Sequence, residues 1–524
     1  MNYEMANGQI IEDEGMSEIM ETLMSVHPHQ SNVYTWDDIG MATLMSDVYK
    51  DSIRFCPQNG LWYIWDGCWR KQGENGAISD RLQTLLNLLV LYCKEIKAKD
   101  ENEEDEFIDD YNKYIKSIRK FTSMRNIMEV LKTMVRMPLK DMNSNPYLLN
   151  TTRHAYDLKT GEIVEDITPF NVTKKTTCAL PDFLTPTCER WYTYIDQIMS
   201  GDKEKAAFLQ RALGYSILGV NREECMFIAY GSKTRNGKGT LFSTICTVLG
   251  EDYADSAPTD LICESKTGRS TDFNAPQPTL AKLVGTRLVT MAESSKDVRL
   301  DAASMKTMTG RDTLVTRDLF ESSFSFVPQF TLWLNTNHLP AVTDDTVFSS
   351  NRIWVIEFNQ HFDEKTQDKD LKEIFARPEN RPTILKWLFD GCEDYMKNGL
   401  NPPECVRSAT ANYRKMHDRI GNFLDECCVL GEDKKVVRGS LYAAYRAWCC
   451  KAENKYHPIG STTFYNEIAM RGFPIRKANE WFVWGLDVDP NKNNDGRIHL
   501  TRKSGLNARV SSVAPSARSA SAKM

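Results

Sequence analysis

GSKTRNGKGT, residues 231 to 240, is the most informative segment of this 524-residue chain. The apolar run ECMFIAY (224 to 230) precedes it, and LFSTICTVLG (241 to 250) follows with apolar side chains on one helical face and Gly250 as a stop. A strand, a glycine-rich loop with a lysine and a helix form the context of a phosphate-binding loop, whose backbone N–H groups hold anionic oxygens. The segment therefore predicts a nucleotide site in an α/β domain.

The loop departs from the common pattern at two places. Gly231 and Gly237 are six positions apart rather than five, and Gly239, which has no hydroxyl, follows Lys238. We expect Lys238 to reach the β and γ phosphates and Thr240 to ligate magnesium; the alternative is that magnesium binds differently. An ordinary surface loop is the alternative interpretation. The expected nucleotide contacts are Gly231, Asn236, Gly237, Lys238, Gly239 and Thr240.

Three later apolar runs end or begin with polar residues suited to catalysis. RLVTMAE (287 to 293) ends in Glu293, which could hold magnesium or orient water. FTLWLNTN (330 to 337) ends with Asn335 and Asn337, either of which could polarise that water. Arg352 opens RIWVIEF and could act on a neighbouring subunit's nucleotide. The alternatives are a solvated strand end for Glu293, a turn-forming asparagine and a structural arginine.

YGSKTRNGKGTL, RLVTMAE, MKTMTGRDTLVTRDLF, FTLWLNTNHLP and SSNRIWVIEF occur in the order and spacing of superfamily 3 helicases. They resemble the poxvirus-type and satellite-phage-type primase-helicases of viruses, phages and prophages. The resemblance assigns the variant phosphate loop to Asn236-Gly237-Lys238, the acidic motif to Glu293 and the asparagine motif to Asn337. The family's arginine motif usually has two arginines, but the first position here is Asn351, so only Arg352 carries over.

The resemblance implies an AAA+-like hexameric ring that encircles single-stranded DNA and translocates 3′→5′ on ATP and Mg²⁺. Its DNA-gripping element would lie between the acidic and asparagine strands, where basic and aromatic residues suit phosphate contact and base stacking. The alternative is a solvated helix end with a core phenylalanine. The expected DNA contacts are Lys306, Arg311, Arg317 and Phe320.

The chain has room for three or four domains of about 150 residues. We expect an α/β fold with an AAA+-like core at 181 to 400, following a mixed α+β helper domain at 34 to 180. A C-terminal winged-helix domain is expected at 401 to 500, where it could bind DNA or protein. Residues 1 to 33 are predicted as a flexible arm, the acidic run 100 to 110 as a solvated linker, and 501 to 524 as a disordered basic tail.

The amino-acid composition bears on whether the chain is a membrane, secreted, metal-binding or nucleic-acid-binding protein. No apolar run approaches the roughly 20 residues that span a bilayer, and no secretory signal is visible, which predicts the cytoplasm of a host cell. None of the 14 cysteines forms a CxxC pair, which favours reduced cysteines over a metal site. The net charge of −6 gives no indication of a nucleic-acid partner, although the last 24 residues contain five basic residues and no acidic ones.

These observations favour an ATP-dependent DNA helicase of phage or mobile-element replication. The 33 residues before Tyr34 are too few for a polymerase-type primase domain, so we expect no primer synthesis by this chain. A separate primase or initiator protein is a candidate partner. The first alternative is a replication initiator or loader that assembles on DNA with little unwinding. The second is a phosphate-loop motor acting on another substrate, such as a packaging motor.

Overall fold

The computed structural model describes residues 3–5, 10–11, 13–72, 76–99, 105–264, 277–292, 299–316, 324–342, 346–451 and 458–489. The chain divides into two compact units, Met1–His417 and Asp418–Met524. Each unit contains buried apolar clusters of its own. No helix in the described ranges is both long and apolar enough to cross a membrane.

The first unit begins with helices around a small antiparallel sheet, whose strands run in the order β3–β4–β5. The strands are β1 (Tyr3–Glu4), β2 (Ile10–Ile11), β3 (Ile53–Cys56), β4 (Leu61–Trp65) and β5 (Trp69–Gln72). The helices are α1 (Glu14–Val26), α2 (Asp38–Val48), α3 (Gly76–Lys99), α4 (Asp105–Ile118) and α5 (Phe121–Met134).

Two predictions for this region are wrong. The arm predicted for residues 1 to 33 contains α1, which is capped by Asp13 and buries Met20 and Leu23 completely. Residues 100 to 104 of the solvated linker predicted at 100 to 110 lie outside the described residues, but the remainder is helical from Asp105 onward, and Ile108 is buried. In both segments the residues are mostly polar, but apolar residues at helical spacing form one face. Burial of that apolar face stabilises the helix.

A second small sheet connects this region to the rest of the unit. Its strands are β6 (Leu148–Asn150), β7 (Ala155–Asp157) and β8 (Ile163–Val164). Gly161, at φ +78°, provides the reversal before β8. Leu149 and Leu158 lie in the same apolar cluster as the helices and strands that follow. This small sheet therefore shares a core with the elements that follow it, whereas the N-terminal helices have a cluster of their own.

Those later elements form an α/β layer. The helices are α6 (Glu189–Ile198), α7 (Lys203–Tyr215), α8 (Lys238–Tyr253), α9 (Pro278–Lys282), α10 (Ala302–Thr309), α11 (Thr346–Ser349), α12 (Leu371–Ala376), α13 (Arg381–Asn398) and α14 (Glu404–His417). The strands are β9 (Met226–Tyr230), β10 (Ala254–Ser256), β11 (Leu288–Ala292), β12 (Arg299–Leu300), β13 (Leu314–Thr316), β14 (Phe324–Phe326), β15 (Thr331–Thr336), β16 (Ala341–Val342) and β17 (Ile353–Glu357).

Five of these strands form one parallel sheet in the order β10–β11–β15–β9–β17. The four apolar runs predicted as strands all belong to it. Such runs suit a parallel sheet because its strands are covered on both faces. The chain leaves β9 for β10 at the far edge and returns to β17 on the other side of β9. This reversal places a crevice at the carboxyl ends of β9 and β15, where open α/β sheets bind ligands.

Helix α14 packs against this sheet, although residues 401 to 417 were predicted with the C-terminal domain. The Tyr413 hydroxyl donates to Pro340 O at 2.7 Å, and Val355 N donates to Thr410 Oγ1 at 3.0 Å. The Tyr413 ring also contacts Phe348 edge-on. These contacts explain why the first unit extends to His417.

In its described residues, the second unit has three helices and an antiparallel sheet in the order β18–β20–β19. In chain order the elements are α15 (Arg419–Cys427), β18 (Cys428–Val437), α16 (Arg438–Lys451), α17 (Ser461–Met470), β19 (Ile475–Lys477) and β20 (Trp481–Val488). The winged-helix assignment for this unit stays a prediction. The basic tail predicted at 501 to 524 lies outside the described residues.

Candidate nucleotide-binding site

The loop from Gly231 to Gly237 requires glycine at both ends. A Cβ on Gly231 would meet Asn236 Nδ2 at 2.3 Å and Phe358 O at 2.8 Å. Gly237 has φ +89°, and a Cβ there would meet Ile198 Cγ2 at 2.3 Å. The first glycine therefore permits close packing inside the loop, and the second permits the left-handed turn into α8.

Lys238, the first residue of α8, is buried beneath this loop. Its side chain donates to Asn337 Oδ1 at 3.0 Å and to Gly231 O at 3.4 Å, and the residue is only 3% exposed. Burial lowers the pKa of Lys238 to about 8. Both acceptors are neutral, and no described carboxylate forms an ion pair with this ammonium group. A buried cation without an anionic partner is costly, so the site favours an anionic ligand.

The remaining loop residues have different environments. Asn236 is buried and donates from Nδ2 to Lys233 O at 2.7 Å, which fixes the shape of the loop. Gly239 faces open space, since a Cβ there would meet nothing within 4 Å. Thr240 is half-buried, and its N–H donates to Gly237 O at 3.0 Å as the first turn of α8 forms. The expected contacts from Gly231 to Thr240 thus lie together at one helix N-terminus.

Distant parts of the chain hold the loop in place, and sequence reasoning missed them. The Tyr194 hydroxyl, from α6, donates to Gly237 O at 2.7 Å. His361 Nδ1 lies 2.8 Å from Thr234 O, and Phe362 N donates to Arg235 O at 2.8 Å. No spacing or motif in the sequence connects these residues with the loop, because they meet it only through the fold.

The carboxyl edge of the sheet brings some of the predicted catalytic residues together. Lys238 meets Asn337 directly, whereas Asn335 lies half-buried within β15. Ala292, the last residue of β11, pairs in register with Asn335. Glu293 follows Ala292 but lies outside the described residues, so the structure does not place its side chain.

Arg352 lies at the opposite edge of the sheet. Its carbonyl accepts a hydrogen bond from Met226 N, at the amino end of β9. Its guanidinium donates from Nη2 to Glu224 Oε2 at 2.8 Å and from Nη1 to Thr309 Oγ1 at 3.0 Å. The structure therefore does not bring Arg352 to the phosphate loop of its own chain.

Two of the four predicted DNA contacts are described. Lys306 is half-buried on α10, and Arg311 forms an ion pair with Glu224 at 3.3 Å with 63% of its side chain exposed. Strands β13 and β14 form an antiparallel pair after α10, as expected for a hairpin. Arg317 and Phe320, in the stretch joining these strands, lie outside the described residues.

The described residues contain no group of three or more His, Cys, Asp or Glu side chains arranged for a metal ion. All 14 cysteines are free thiols, and most are buried. Of the two predicted magnesium ligands, Thr240 is at the start of α8 and Glu293 is undescribed. A metal at this site would accordingly depend on few protein ligands, which is usual for Mg²⁺ bound with phosphates.

Two protein families match separate segments of the chain. The family described as D5 N terminal like matches residues 42–200, and the family described as Poxvirus D5 protein-like matches residues 415–481. Two segments of the chain are thus similar to D5 proteins. The resemblance to poxvirus-type primase-helicases inferred from the motifs is therefore confirmed, and these matches flank the strands and loop that carry those motifs.

Several viral proteins are similar to the chain over longer stretches. "Putative helicase L207/L206" of Acanthamoeba polyphaga mimivirus is 24% identical over 457 residues, which cover 78% of this chain and 45% of the relative. "Putative helicase 022R" of Frog virus 3 is 27% identical over 263 residues, covering 47% and 26%. The chain thus spans less than half the length of these relatives. A solved structure of the NrS-1 C-terminal region aligns over 86% of this chain and 99% of its own, with 12% identity and a TM-score of 0.46.

Proposed function

We propose that this chain is the motor of an ATP-dependent DNA helicase in viral or mobile-element replication. The observation that carries the proposal is Lys238, a buried ammonium group at the N-terminus of α8 whose acceptors among the described residues are both neutral. A triphosphate would supply the missing anion, and the N–H groups of the first helical turn would bind its oxygens. The helicase names of the viral relatives support nucleic-acid unwinding as the use of this site.

Each proposed catalytic residue has a defined role. Lys238 binds the β and γ phosphates, and the loop from Gly231 to Thr240 surrounds them. Thr240 and Glu293 hold Mg²⁺, which neutralises phosphate charge when bound. Asn337, already 3.0 Å from Lys238 Nζ, orients the attacking water.

Arg352 is proposed to act on the nucleotide of a neighbouring subunit. Strand β9 separates it from its own loop by about 17 Å, at roughly 3.3 Å for each of five residues. Only another subunit's loop can meet it without rearrangement. This requirement supports a ring of identical subunits, and we propose a hexamer.

DNA is proposed to contact the α10–β13–β14 region through Lys306, Arg311, Arg317 and Phe320, with movement in the 3′→5′ direction. The second unit is proposed to be a winged-helix domain that binds DNA or protein. We propose that the chain acts in the cytoplasm of a host cell and makes no primers itself. A separate primase or initiator would then begin synthesis.

Two assays on the purified chain test this proposal. ATP hydrolysis should rise on addition of single-stranded DNA, and a forked duplex with a free 3′ tail should be unwound in preference to one with a 5′ tail. Hydrolysis that leaves every duplex intact would instead indicate a loader. Hydrolysis without DNA stimulation would indicate a motor acting on another substrate.

A further inference from the structure

The turn that leads into β9 contains a strained acidic residue, Glu224. Its backbone has φ +48°, in the left-handed region that residues other than glycine seldom occupy. Its N–H donates to Asn221 O at 3.2 Å, which closes the turn. Strained backbone of this kind persists where surrounding contacts demand it, and it is found at functional sites.

The Glu224 carboxylate binds two arginines. Arg352 Nη2 approaches Oε2 at 2.8 Å, and Arg311 Nε approaches Oε1 at 3.3 Å. The two arginines differ in burial, because 18% of the Arg352 side chain is exposed against 63% for Arg311. Glu224 therefore holds one nearly enclosed guanidinium and one that is largely in solvent.

Two further acceptors fix the orientation of Arg352. Nη1 donates to the backbone carbonyl of Glu224 at 3.3 Å and to Thr309 Oγ1 at 3.0 Å. The Thr309 hydroxyl donates its own hydrogen to Met305 O at 2.8 Å, so its lone pairs are available to the arginine. These contacts use three of the five guanidinium N–H groups, and two have no acceptor among the described residues.

We propose that Glu224 is a positioning residue that holds Arg352 ready for the nucleotide of a neighbouring subunit. The inference rests on the proposed role of Arg352 across a subunit interface. A fixed guanidinium with two available donors can bind phosphate oxygens without first losing side-chain entropy, and small errors in such placement are costly in rate. The left-handed backbone at Glu224 is what brings both its carbonyl and its carboxylate to the same arginine.

Substitution Glu224→Gln tests this idea, since it preserves shape and removes charge. We expect kcat for ATP to fall at least about tenfold, whereas KM changes less than about twofold because Lys238 is untouched. Thr309→Val should give a smaller fall in kcat, since it removes one of three contacts. A rise in kcat would mean that Glu224 restrains Arg352, and it would overturn the proposal.

Mixing of subunits separates positioning from general structural damage. In an equal mixture of Glu224→Gln and Lys238→Ala chains, roughly a quarter of the interfaces pair an intact loop with an intact, correctly held Arg352. We therefore expect about a quarter of wild-type hydrolysis, well above either variant alone. A structural defect confined to the Glu224→Gln subunit's own β9 and loop would not be repaired by mixing.

The same mixing with Arg352→Ala in place of Glu224→Gln tests the underlying role of Arg352. If that mixture recovers activity but the Glu224→Gln mixture does not, the positioning role is wrong and the action of Arg352 across the interface stands. If neither mixture recovers, the action across the interface is wrong, and the role of Glu224 fails with it.

Discussion

The carboxyl and amino ends of the strands in the parallel sheet, called here its carboxyl and amino edges, surround their cationic side chains with different partners. At the carboxyl edge Lys238 is buried with two neutral acceptors, Gly231 O and Asn337 Oδ1. At the amino edge Arg352 and Arg311 share the carboxylate of Glu224. Among the described residues, Lys238 therefore has no anionic partner, whereas Arg352 and Arg311 already have one. The difference indicates that the carboxyl edge receives a ligand's charge and that the amino edge presents an arginine to something outside its own chain.

Removal of the Lys238 charge should have the largest effect. Lys238→Ala is expected to abolish measurable ATP hydrolysis, because the buried ammonium is the main cationic contact available to the phosphates. Binding of a fluorescent ATP analogue should weaken in parallel. The control is Lys397→Ala, an exposed lysine in the last turn of α13, which should hydrolyse ATP normally. Equal losses in the two variants would contradict a specific role for the buried lysine.

Loss of Arg352 should affect rate rather than binding. Arg352→Ala is expected to lower kcat by about 10³, in the range of arginines that act across an interface, with little change in nucleotide affinity. Arg311→Ala, which removes the exposed partner of the same carboxylate, should leave DNA-free hydrolysis within about twofold. If Arg352→Ala hydrolyses ATP normally, the arginine is structural and the comparison between the two edges loses its functional meaning.

Raising the pH should weaken ATP binding at the carboxyl edge. Burial lowers the pKa of Lys238 to about 8, so the free site loses its charge above that pH. Bound phosphate favours the charged form, and nucleotide binding at pH 8 to 9 should therefore take up a proton. Calorimetry in buffers of different ionisation enthalpy should detect uptake approaching one proton at pH 9 and none near pH 6.5. Affinity should fall up to about tenfold from pH 7 to 9.

The lowered pKa of Lys238 also affects folding stability, but here a rise in pH is favourable, whereas for ATP binding it is unfavourable. The folded state holds the Lys238 proton less tightly than the unfolded state, in which the pKa is near its ordinary value of 10.5. Between about pH 8 and 10.5 the unfolded chain binds more protons, so this residue's contribution to stability rises with pH across that window. A Lys238→Met variant should lack this component in unfolding measured as a function of pH.

Local sequence patterns correctly predicted four strands of the parallel sheet. The apolar runs that became β9, β11, β15 and β17 are recognisable because strands covered on both faces must be apolar throughout. Gly250, predicted as the helix stop, is instead a kink: it leaves the helical conformation at φ +72°, but α8 continues to Tyr253. The roles that could not be predicted depend on contacts between segments that are distant in the sequence. Tyr194, His361 and Glu224 have no sequence signal, because their roles exist only once α6, the segment after β17 and the turn before β9 come together.

The polar composition of two segments led to the wrong prediction of an arm and a linker, because each segment contains a narrow apolar helical face. The segment from Asp105 to Ile118 is acidic at its start, yet Ile108, Tyr111 and Ile115 are buried at helical spacing. The same holds for Met20 and Leu23 in α1. A helix needs only one apolar face to pack, so average polarity is a poor guide to its burial.

The smallest expected effect concerns the support beneath the loop. The Tyr194 hydroxyl donates to Gly237 O at 2.7 Å, and burial raises the pKa of this tyrosine well above its usual range, so the hydroxyl remains a donor at any working pH. Tyr194→Phe removes that bond and leaves a buried carbonyl without this donor, a loss of about 1 kcal/mol. Since Gly237 precedes Lys238, we expect ATP affinity to fall a few-fold while kcat changes little. Tyr192→Phe, on the same helix but 42% exposed, is the matched control. If both variants bind ATP like the wild type, α6 supports the loop through packing of Ile198 against Gly237 rather than through the hydroxyl.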